Sequence, residues 1–360
     1  MHKPVMRRER RRKGKEMKRK MMAAVLIMAM TAGVLGGCGN STGNNAKTDT
    51  NAQNNANTAE IKENANADVT EIANADGTVY KVGIVQYVDD ASLNQIEKAI
   101  EAELDAKGAE LGVTFDYADY TYNGQADSST LNQIATDLVA EKVDVIIPIA
   151  TPAAMIMQNA TEDNQIPVVF SAVSDPVSAG LAKEDKTPEG NITGTADTLP
   201  VEAQLKMIRE VLPDATKIGI LYTTSEANSL STIETYKELA DDYGFEIVES
   251  GINTLADVDM AAADLAAKVD CISNLTDNTV VQGLQTVLAK ASAAGIPVFG
   301  SEVEQVKNGC LAAEGIDYVA LGKQTGAMAA KVLKGEAEAP DMPYEVCEGA
   351  NLYINTEVAR

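Results

Sequence analysis

Two parts of this chain carry the same short strand patterns in the same order. The patterns pair residues 81–85 with 217–221, 143–146 with 269–272, and 166–171 with 296–301. The first pair, Lys81-Val82-Gly83-Ile84-Val85 and Lys217-Ile218-Gly219-Ile220-Leu221, shows how closely the copies agree. A repeat of this length predicts two similar lobes, and a small molecule would bind in the cleft between them.

Within each half, short aliphatic runs alternate with amphipathic helices. Continuous apolar strands separated by helices are typical of parallel sheets that are covered on both faces. The sequence therefore predicts an α/β fold with two doubly wound parallel-sheet lobes joined by a multi-strand hinge. Near the end of the chain it predicts a strand at 309–313, a helix at 318–333 and a final strand pair at 344–347 and 351–354.

The predicted boundaries follow from these patterns. They are 1–37 for a lipoprotein signal peptide, 38–78 for a disordered tether, 79–196 plus 317–338 for the N-terminal lobe, and 197–316 plus 339–360 for the C-terminal lobe. The hinge crossovers are expected near 194–200, 315–318 and 336–344.

The first residues have the layout of a targeting segment. A basic stretch precedes an apolar run from Met21 to Leu35, which leads into Gly36-Gly37-Cys38. This ending resembles a lipobox, so we expect Cys38 to be lipidated and the protein to be extracytoplasmic and anchored to the cell membrane. An uncleaved anchor would give the same location, and either Met1 or Met17 fits the start. The Asn-, Ala- and Thr-rich segment that follows has too few large apolar side chains to fold.

Charge and residue usage exclude several classes of function. Residues 1–37 hold eleven Lys or Arg and two Glu, so the rest of the chain is more acidic than the overall net charge of −23, which excludes nucleic acid as a partner. His2 is the single histidine and lies in the signal segment. We therefore expect no enzyme activity, no metal and no cofactor. The Gly322-Lys323-Gln324-Thr325 stretch lacks the first glycine of a phosphate loop.

Cysteines beyond Cys38 leave two interpretations open. Cys271, Cys310 and Cys347 lie on strand-like segments. They are either buried thiols, or Cys310 and Cys347 form a bridge.

Ligands of open α/β sheets bind beyond the carboxyl ends of the strands, which defines the candidate site. The candidate ligand-binding residues are Gln86, Asp90, Ser92, Thr151, Ala153, Ser171, Val173, Asp175, Glu226, Asn228, Ser229, Asp277, Asn278 and Ser301. The strand-end loops carry several acids and no Lys or Arg, which favours a ligand with an amino group. Thr151-Pro152 at a helix start offers free N–H groups to a carboxylate. An amino acid satisfies both requirements.

Several short motifs recur in a characteristic order along the folded part. They are Thr151-Pro152-Ala153, Ser174-Asp175-Pro176-Val177, Ala179-Gly180-Leu181, Gly219-Ile220-Leu221-Tyr222 followed by Glu226-Ala227-Asn228-Ser229, and Thr276-Asp277-Asn278. In these motifs the chain resembles the ABC transporter substrate-binding lipoproteins of the tryptophan/tyrosine type, which have the type I periplasmic-binding-protein fold. One departure is Asp90-Ala91-Ser92-Leu93-Asn94, where relatives commonly have His-Pro-Ala-Leu-Asp.

The resemblance implies a receptor that captures a small solute, often an aromatic amino acid, and delivers it to an ABC permease driven by its ATPase. Carried onto this chain, Thr151 and Ser171 would hold the ligand carboxylate and Asp277 would pair with its amino group, while Asn228 and Ser229 would line the second lobe. Tyr87 and Tyr222 are candidates to stack on a ring. We expect a monomer that closes around its ligand. A sensor that passes the binding signal to a membrane partner is the alternative.

Overall fold

The structure is a computed structural model that describes residues 77–347 and 349–359. The predicted signal peptide, lipidation site and most of the tether lie outside the described residues. The strands of the first sheet are β1 (Val79–Gln86), β2 (Thr114–Asp116), β3 (Thr121–Asn123), β4 (Val145–Ile149), β5 (Val168–Ser171), β6 (Ile192–Ala196) and β12 (Glu345–Val346). All their pairings are parallel, in the order β12-β6-β5-β4-β1-β2, with β3 beside the second half of β1.

The second sheet repeats this plan on a smaller scale. It contains β7 (Lys217–Thr223), β8 (Glu246–Ile252), β9 (Cys271–Ser273) and β10 (Val298–Phe299), all parallel, in the order β10-β9-β7-β8. An antiparallel ladder of β11 (Ala312–Ile316) and β13 (Ala350–Ile354) lies next to β10, where Leu311 N donates to Val298 O. The structure thus confirms the predicted two-lobed parallel α/β fold.

Helices cover both faces of each sheet. In chain order they are α1 (Ala91–Leu111), α2 (Ser128–Glu141), α3 (Thr151–Thr161), α4 (Val201–Val211), α5 (Ala227–Ala240), α6 (Val258–Ala266), α7 (Asn278–Gln282), α8 (Leu284–Ala294), α9 (Val303–Lys307) and α10 (Tyr318–Leu333). Gly283 divides the helical segment 278–294, because it ends α7 and begins α8. Alternate strand residues face opposite cores: Ile84 packs in one cluster and Val85 in the other.

Residues at the two ends of α1 show how the local sequence determines where a helix begins and ends. Asp90 caps α1 by accepting a 2.8 Å hydrogen bond from Ser92 N, and Gly112 ends the helix with φ of 68°. Glycine tolerates this left-handed backbone conformation because it has no Cβ. Strand β1 therefore passes into α1 through a short loop, Tyr87 to Asp90, at the carboxyl edge of the sheet.

Close packing of α10 on α1 fastens the C-terminal part of the chain to the first lobe. A Cβ at Gly322 would lie 2.6 Å from both Ile96 O and Ala99 Cβ. The Gly-Lys-Gln-Thr stretch is thus a helix-packing element, in agreement with the rejection of a phosphate loop.

Three predictions about the end of the chain were wrong. The segments at 344–347 and 351–354 do not pair with each other, because β12 joins β6 of the first sheet and β13 joins β11 of the second lobe. Residues 339–347 therefore belong to the first lobe and not the second. The third crossover lies between Cys347, whose N–H donates to Ala196 O, and the start of β13 at Ala350, instead of at 336–344.

The positions of the cysteines in the described residues decide whether Cys310 and Cys347 form a disulfide. Cys271, Cys310 and Cys347 are all free, buried thiols. The alternative of a Cys310–Cys347 bridge was wrong, because Cys310 lies in the core of the second lobe and Cys347 in the core of the first.

Over residues 77–347 and 349–359, no helix combines the length and the apolar character needed to span a membrane.

Candidate functional site

The carboxyl ends of the two parallel sheets face each other, and contacts join the lobes there. Helix α3 of the first lobe packs against α5 of the second. The hydroxyl groups of Ser174 and Thr276, from opposite lobes, are 3.4 Å apart. The cleft is thus closed over the strand ends, and one cavity between the lobes has a volume of about 30 Å³, which is room for about two water molecules.

Two buried polar atoms at the starts of α3 and α5 have no hydrogen-bond partner among the described residues. They are Thr151 Oγ1 and Asn228 Oδ1. Thr151 is 2% exposed and Asn228 4% exposed. A buried polar atom without a partner costs free energy, so such atoms are candidates to bind a ligand.

The orientation of the Asn228 amide is fixed by its other end. Its Nδ2 donates to Thr276 O at 3.1 Å and to Glu226 Oε2 at 3.3 Å. Both amide hydrogens are therefore used, and Oδ1 is left as a free acceptor beside the interlobe contact at Thr276.

Helix α3 begins with an open N-terminus. Ala150 precedes it with φ of 82°, and Pro152 stands in the first turn. Among the described residues no side chain caps this end. The free N–H groups and the helix dipole favour an anion next to the Thr151 hydroxyl.

Glu226 and Asp277 form a buried acidic pair in the second lobe. Asp277, which is 0% exposed, accepts from Thr223 N at 2.6 Å, Thr223 Oγ1 at 2.8 Å, Ser229 Oγ at 2.7 Å and Val280 N at 2.9 Å. Glu226 accepts from the backbone N–H groups of Asn278 and Thr279 at the start of α7. Burial first, and then the negative charge of Asp277, raises the pKa of Glu226.

Tyr87 faces this pair from the first lobe. Burial, followed by the charges of Glu226 and Asp277, raises the pKa of its phenol to about 12. The hydroxyl is therefore neutral near pH 7, and the half-buried ring lies near enough to the second lobe for these two charges to act on it. The sequence indicates Tyr87 only as a stacking candidate. Its position at the end of β1 is the feature that predicts a location near the cleft.

The second stacking candidate, Tyr222, is not in the cleft. Its ring packs with the α4–α5 side of the second lobe and lies over Gly251. That prediction was wrong because successive strand residues point to opposite faces.

The structure brings one group of the predicted residues to the cleft and uses another group elsewhere. Those at the cleft are Asp90, Ser92, Thr151, Glu226, Asn228, Ser229, Asp277 and Asn278. Those whose side chains have contacts elsewhere are Gln86, Ala153, Ser171, Val173, Asp175 and Ser301, although the backbone N–H of Ala153 remains at the open start of α3.

Ser171 is the clearest of these corrections. It is 0% exposed, and its hydroxyl lies 2.8 Å from Thr325 Oγ1 on α10. Thr325 is in turn 2.6 Å from Thr195 Oγ1. This buried hydroxyl cluster holds α10 on the first sheet and engages the Ser171 hydroxyl.

The other displaced residues have structural contacts of their own. Ala153 and Val173 are core residues of the first lobe. Gln86 bridges Asn94 and Asn123, Asp175 accepts from the N–H groups of Val177 and Ser178 in its own turn, and Ser301 bonds Gln305 within the second lobe.

A buried carboxyl at the hinge was missed by the sequence reasoning. Asp197, at the first crossover, accepts from Ser174 Oγ at 3.0 Å and from Tyr318 OH at 3.1 Å at the second crossover. Burial raises the pKa of Asp197 to about 6. Its hydrogen bonds tie two of the chain's crossovers together.

The sequence matches that of a known protein family. The family model for ABC transporter substrate binding proteins matches residues 81–360. The chain belongs to this family. Substrate-binding proteins of ABC transporters are extracytoplasmic solute-binding proteins and not enzymes, so those parts of the sequence prediction are confirmed.

Relatives of this substrate-binding protein include one named for a ligand. The chain is 33% identical to a tyrosine-binding protein of Clostridioides difficile (strain R20291), over 95% of this chain and 92% of that protein.

Two solved structures that are similar to this chain differ in whether a ligand is bound. One is an ABC domain from Streptococcus pneumonia in complex with L-Trp, with 33% identity, a TM-score of 0.73, and coverage of 78% of this chain and 94% of that one. The other is the ligand-free, open structure of a Clostridium difficile substrate binding protein with adhesive properties, with 36% identity, a TM-score of 0.59, and coverage of 78% and 93%. The present arrangement is thus more similar to the L-Trp complex.

Proposed function

We propose that this protein captures an amino acid, an aromatic one in the first instance, by closing its two lobes around it. The observation that carries this proposal is the pair of buried, unpartnered atoms, Thr151 Oγ1 and Asn228 Oδ1. They belong to helices of opposite lobes that pack against each other. A ligand that bonds both atoms would hold the lobes together and favour the closed form.

The carboxylate of the ligand would lie at the start of α3. There the Thr151 hydroxyl and the free N–H groups supply neutral donors, and the helix dipole adds favourable electrostatics. Ser171, which the resemblance implied as a second donor, is bonded beneath α10 and takes no part.

The amino group would lie on the side of Asn228. Asp277 already accepts four hydrogen bonds, which fills the usual capacity of a carboxylate. We therefore assign direct contact with the ammonium to Asn228 Oδ1, while Glu226 and Asp277 stabilise its charge through their field. This replaces the direct Asp277 contact that the resemblance implied.

The relatives support an aromatic side chain on the ligand. A protein that is 33% identical is named for tyrosine, and a structure that is 33% identical holds L-Trp. Tyr87 offers a half-buried ring on the first-lobe side of the cleft.

We further propose that the protein is a monomer held at the membrane by lipidated Cys38. It would deliver its ligand to an ABC permease that is driven by its ATPase. Membership of a transporter family supports transport over the alternative of a signalling sensor.

The experiment that tests this proposal measures calorimetric affinity for L-tyrosine and L-tryptophan. Tyramine, which lacks the carboxylate, and N-acetyl-L-tyrosine, which lacks the ammonium charge, divide the ligand into its two ends. Asn228→Ala should weaken L-tyrosine about tenfold or more and leave the weak binding of N-acetyl-L-tyrosine unchanged.

Asn191→Ala is the matched control, because Asn191 is also buried but bonds Thr161 and Ile166 within the first lobe. It should lower the melting temperature and leave the affinity unchanged. If no aromatic amino acid binds, or if Asn228→Ala binds L-tyrosine as the wild type does, the proposed function or its site is wrong.

A further inference from the structure

A second pair of carboxylates, apart from Glu226 and Asp277, meets across the cleft. Asp90 caps α1 in the first lobe, and Glu302 caps α9 in the second. Both line the cavity of about 30 Å³ between the lobes, and Glu302 is only 1% exposed. Ser92, also from the first lobe, lines the same cavity as Glu302.

The remaining partners of Glu302 come from its own helix. Its carboxylate accepts from the N–H groups of Glu304 and Gln305, the latter at 2.7 Å. These bonds lie within the second lobe, so they persist when the lobes separate. What closure adds is burial, the Ser92 contact and the negative charge of Asp90.

Among the described residues that line the cavity, no Lys or Arg side chain neutralises the charges of Asp90 and Glu302. Glu304 and Lys307 on α9 pair with each other at 2.7 Å, and Lys307 is exposed to solvent. The other titratable neighbours of Glu302 are Cys310 and Tyr318, and the pKa of each is raised. Both are therefore neutral near pH 7. The charge of Glu302 also acts on Lys307, but that ammonium lies in solvent and pairs with Glu304.

We propose that closing the cleft takes up a proton at Glu302, so that acidification favours the closed, ligand-holding form. This inference rests on the proposed closure of the two lobes. The carboxyl that takes the proton is Glu302 because it is buried, whereas Asp90 is partly exposed to solvent.

The direction of the effect follows from linkage. Burial, and to a lesser extent the charge of Asp90, raises the pKa of Glu302 from 4.5 to about 7 in the closed form, while the N–H groups of Glu304 and Gln305 and the side chain of Ser92 oppose that rise. Closure is then most favoured below pH 4.5, and this contribution is lost as the pH rises to about 7. With these values the affinity for L-tyrosine would fall by at most about 70-fold between pH 5 and pH 8.

Calorimetry of L-tyrosine binding in buffers of different ionisation enthalpy gives the proton count directly. At pH 6 the wild type should take up close to one proton from this group. Glu302→Gln keeps the size of the side chain and removes the titration, so that uptake should disappear. Asp90→Asn should shift the pH dependence to lower pH.

Asp89→Asn is the matched control, since Asp89 is the adjacent acid but is exposed and bonds Asn94. It should behave as the wild type does. Asp197 and Glu226 also have raised pKa values, and their contribution cancels when wild type and Glu302→Gln are compared.

A ligand-free measurement separates this inference from the proposed function. Small-angle scattering should show the wild-type radius of gyration increasing from pH 5 to pH 8, and Glu302→Gln should suppress that change even if no amino acid binds. Equal proton uptake and parallel scattering curves for wild type and Glu302→Gln would overturn the inference.

Discussion

Ser229 Oγ donates a 2.7 Å hydrogen bond to Oδ2 of Asp277, and both side chains are buried in the second lobe. The same carboxylate joins the end of β7 to the start of α7 through Thr223 and Val280. Asp277 is therefore a fixed part of the cleft wall, and the elements that carry Asn228 depend on it.

Asp277→Asn should lower the free energy of unfolding by about 2–3 kcal/mol. An amide places hydrogens where Asp277 now accepts them, so at least one buried donor loses its partner. Ser229→Ala should cost about 1 kcal/mol, since it removes a single bond. Urea unfolding followed by circular dichroism measures both, and equal stability of wild type and Asp277→Asn would contradict this account.

Thr151→Val and Thr325→Val should have opposite effects. The Thr151 hydroxyl has no partner among the described residues, so its loss should leave the melting temperature unchanged or raise it, while L-tyrosine binds about 5- to 30-fold more weakly. Thr325 has three hydroxyl and carbonyl partners, so its loss should lower stability by about 1–2 kcal/mol with unchanged affinity. Differential scanning fluorimetry and calorimetry together check this, and a stability loss at Thr151 alone would contradict it.

Asp197 should make stability depend on pH. Because folding raises the pKa of its carboxyl from 3.8 to about 6, the folded state holds the proton more tightly. This stabilisation is full below about pH 4 and is lost as the pH rises to about 6. Relative to Asp197→Asn, the wild type should lose at most about 3 kcal/mol of unfolding free energy between pH 4 and pH 7. Urea titrations at both pH values test this, and a constant difference between the two proteins would refute it.

Gly322→Ala should destabilise the first lobe by about 2–3 kcal/mol. The added Cβ would clash with the backbone of α1 at Ile96, which cannot move away as a flexible side chain can. Affinity for L-tyrosine should not change, because this contact lies away from the strand ends. Lys323→Ala, at the exposed neighbouring position, is the control and should have little effect on thermal unfolding. Wild-type stability of Gly322→Ala would show that the two helices are less tightly packed than described.

The fold was largely predictable because parallel strands are encoded locally. Runs such as Val145–Ile149 are apolar at every position, and the structure buries all of them. The end of the chain was harder to predict because β12 and β13 are short strands whose partners, β6 and β11, lie in different lobes. The residues of β12 and β13 do not indicate which sheet each strand joins.

The candidate site was predictable as a region but not residue by residue. Ser171 stands at a strand end, yet its side chain faces Thr325, which is distant in sequence and returns on α10. The sequence predicts acids in the strand-end loops and favours a role for them in binding an amino group. Asp277 and Glu302 instead cap α7 and α9, a role that their positions just before helical segments also signalled.

The last two described strands make both lobes depend on the short segment 345–354. Strand β12 completes the first lobe and β13 the second, although the first lobe begins at the opposite end of the described chain. Neither lobe has all its strands until synthesis has passed Glu345 and then Ala350. Removing residues 345–354 would therefore take a strand from both lobes at once, so one short segment controls the completeness of two separate sheets.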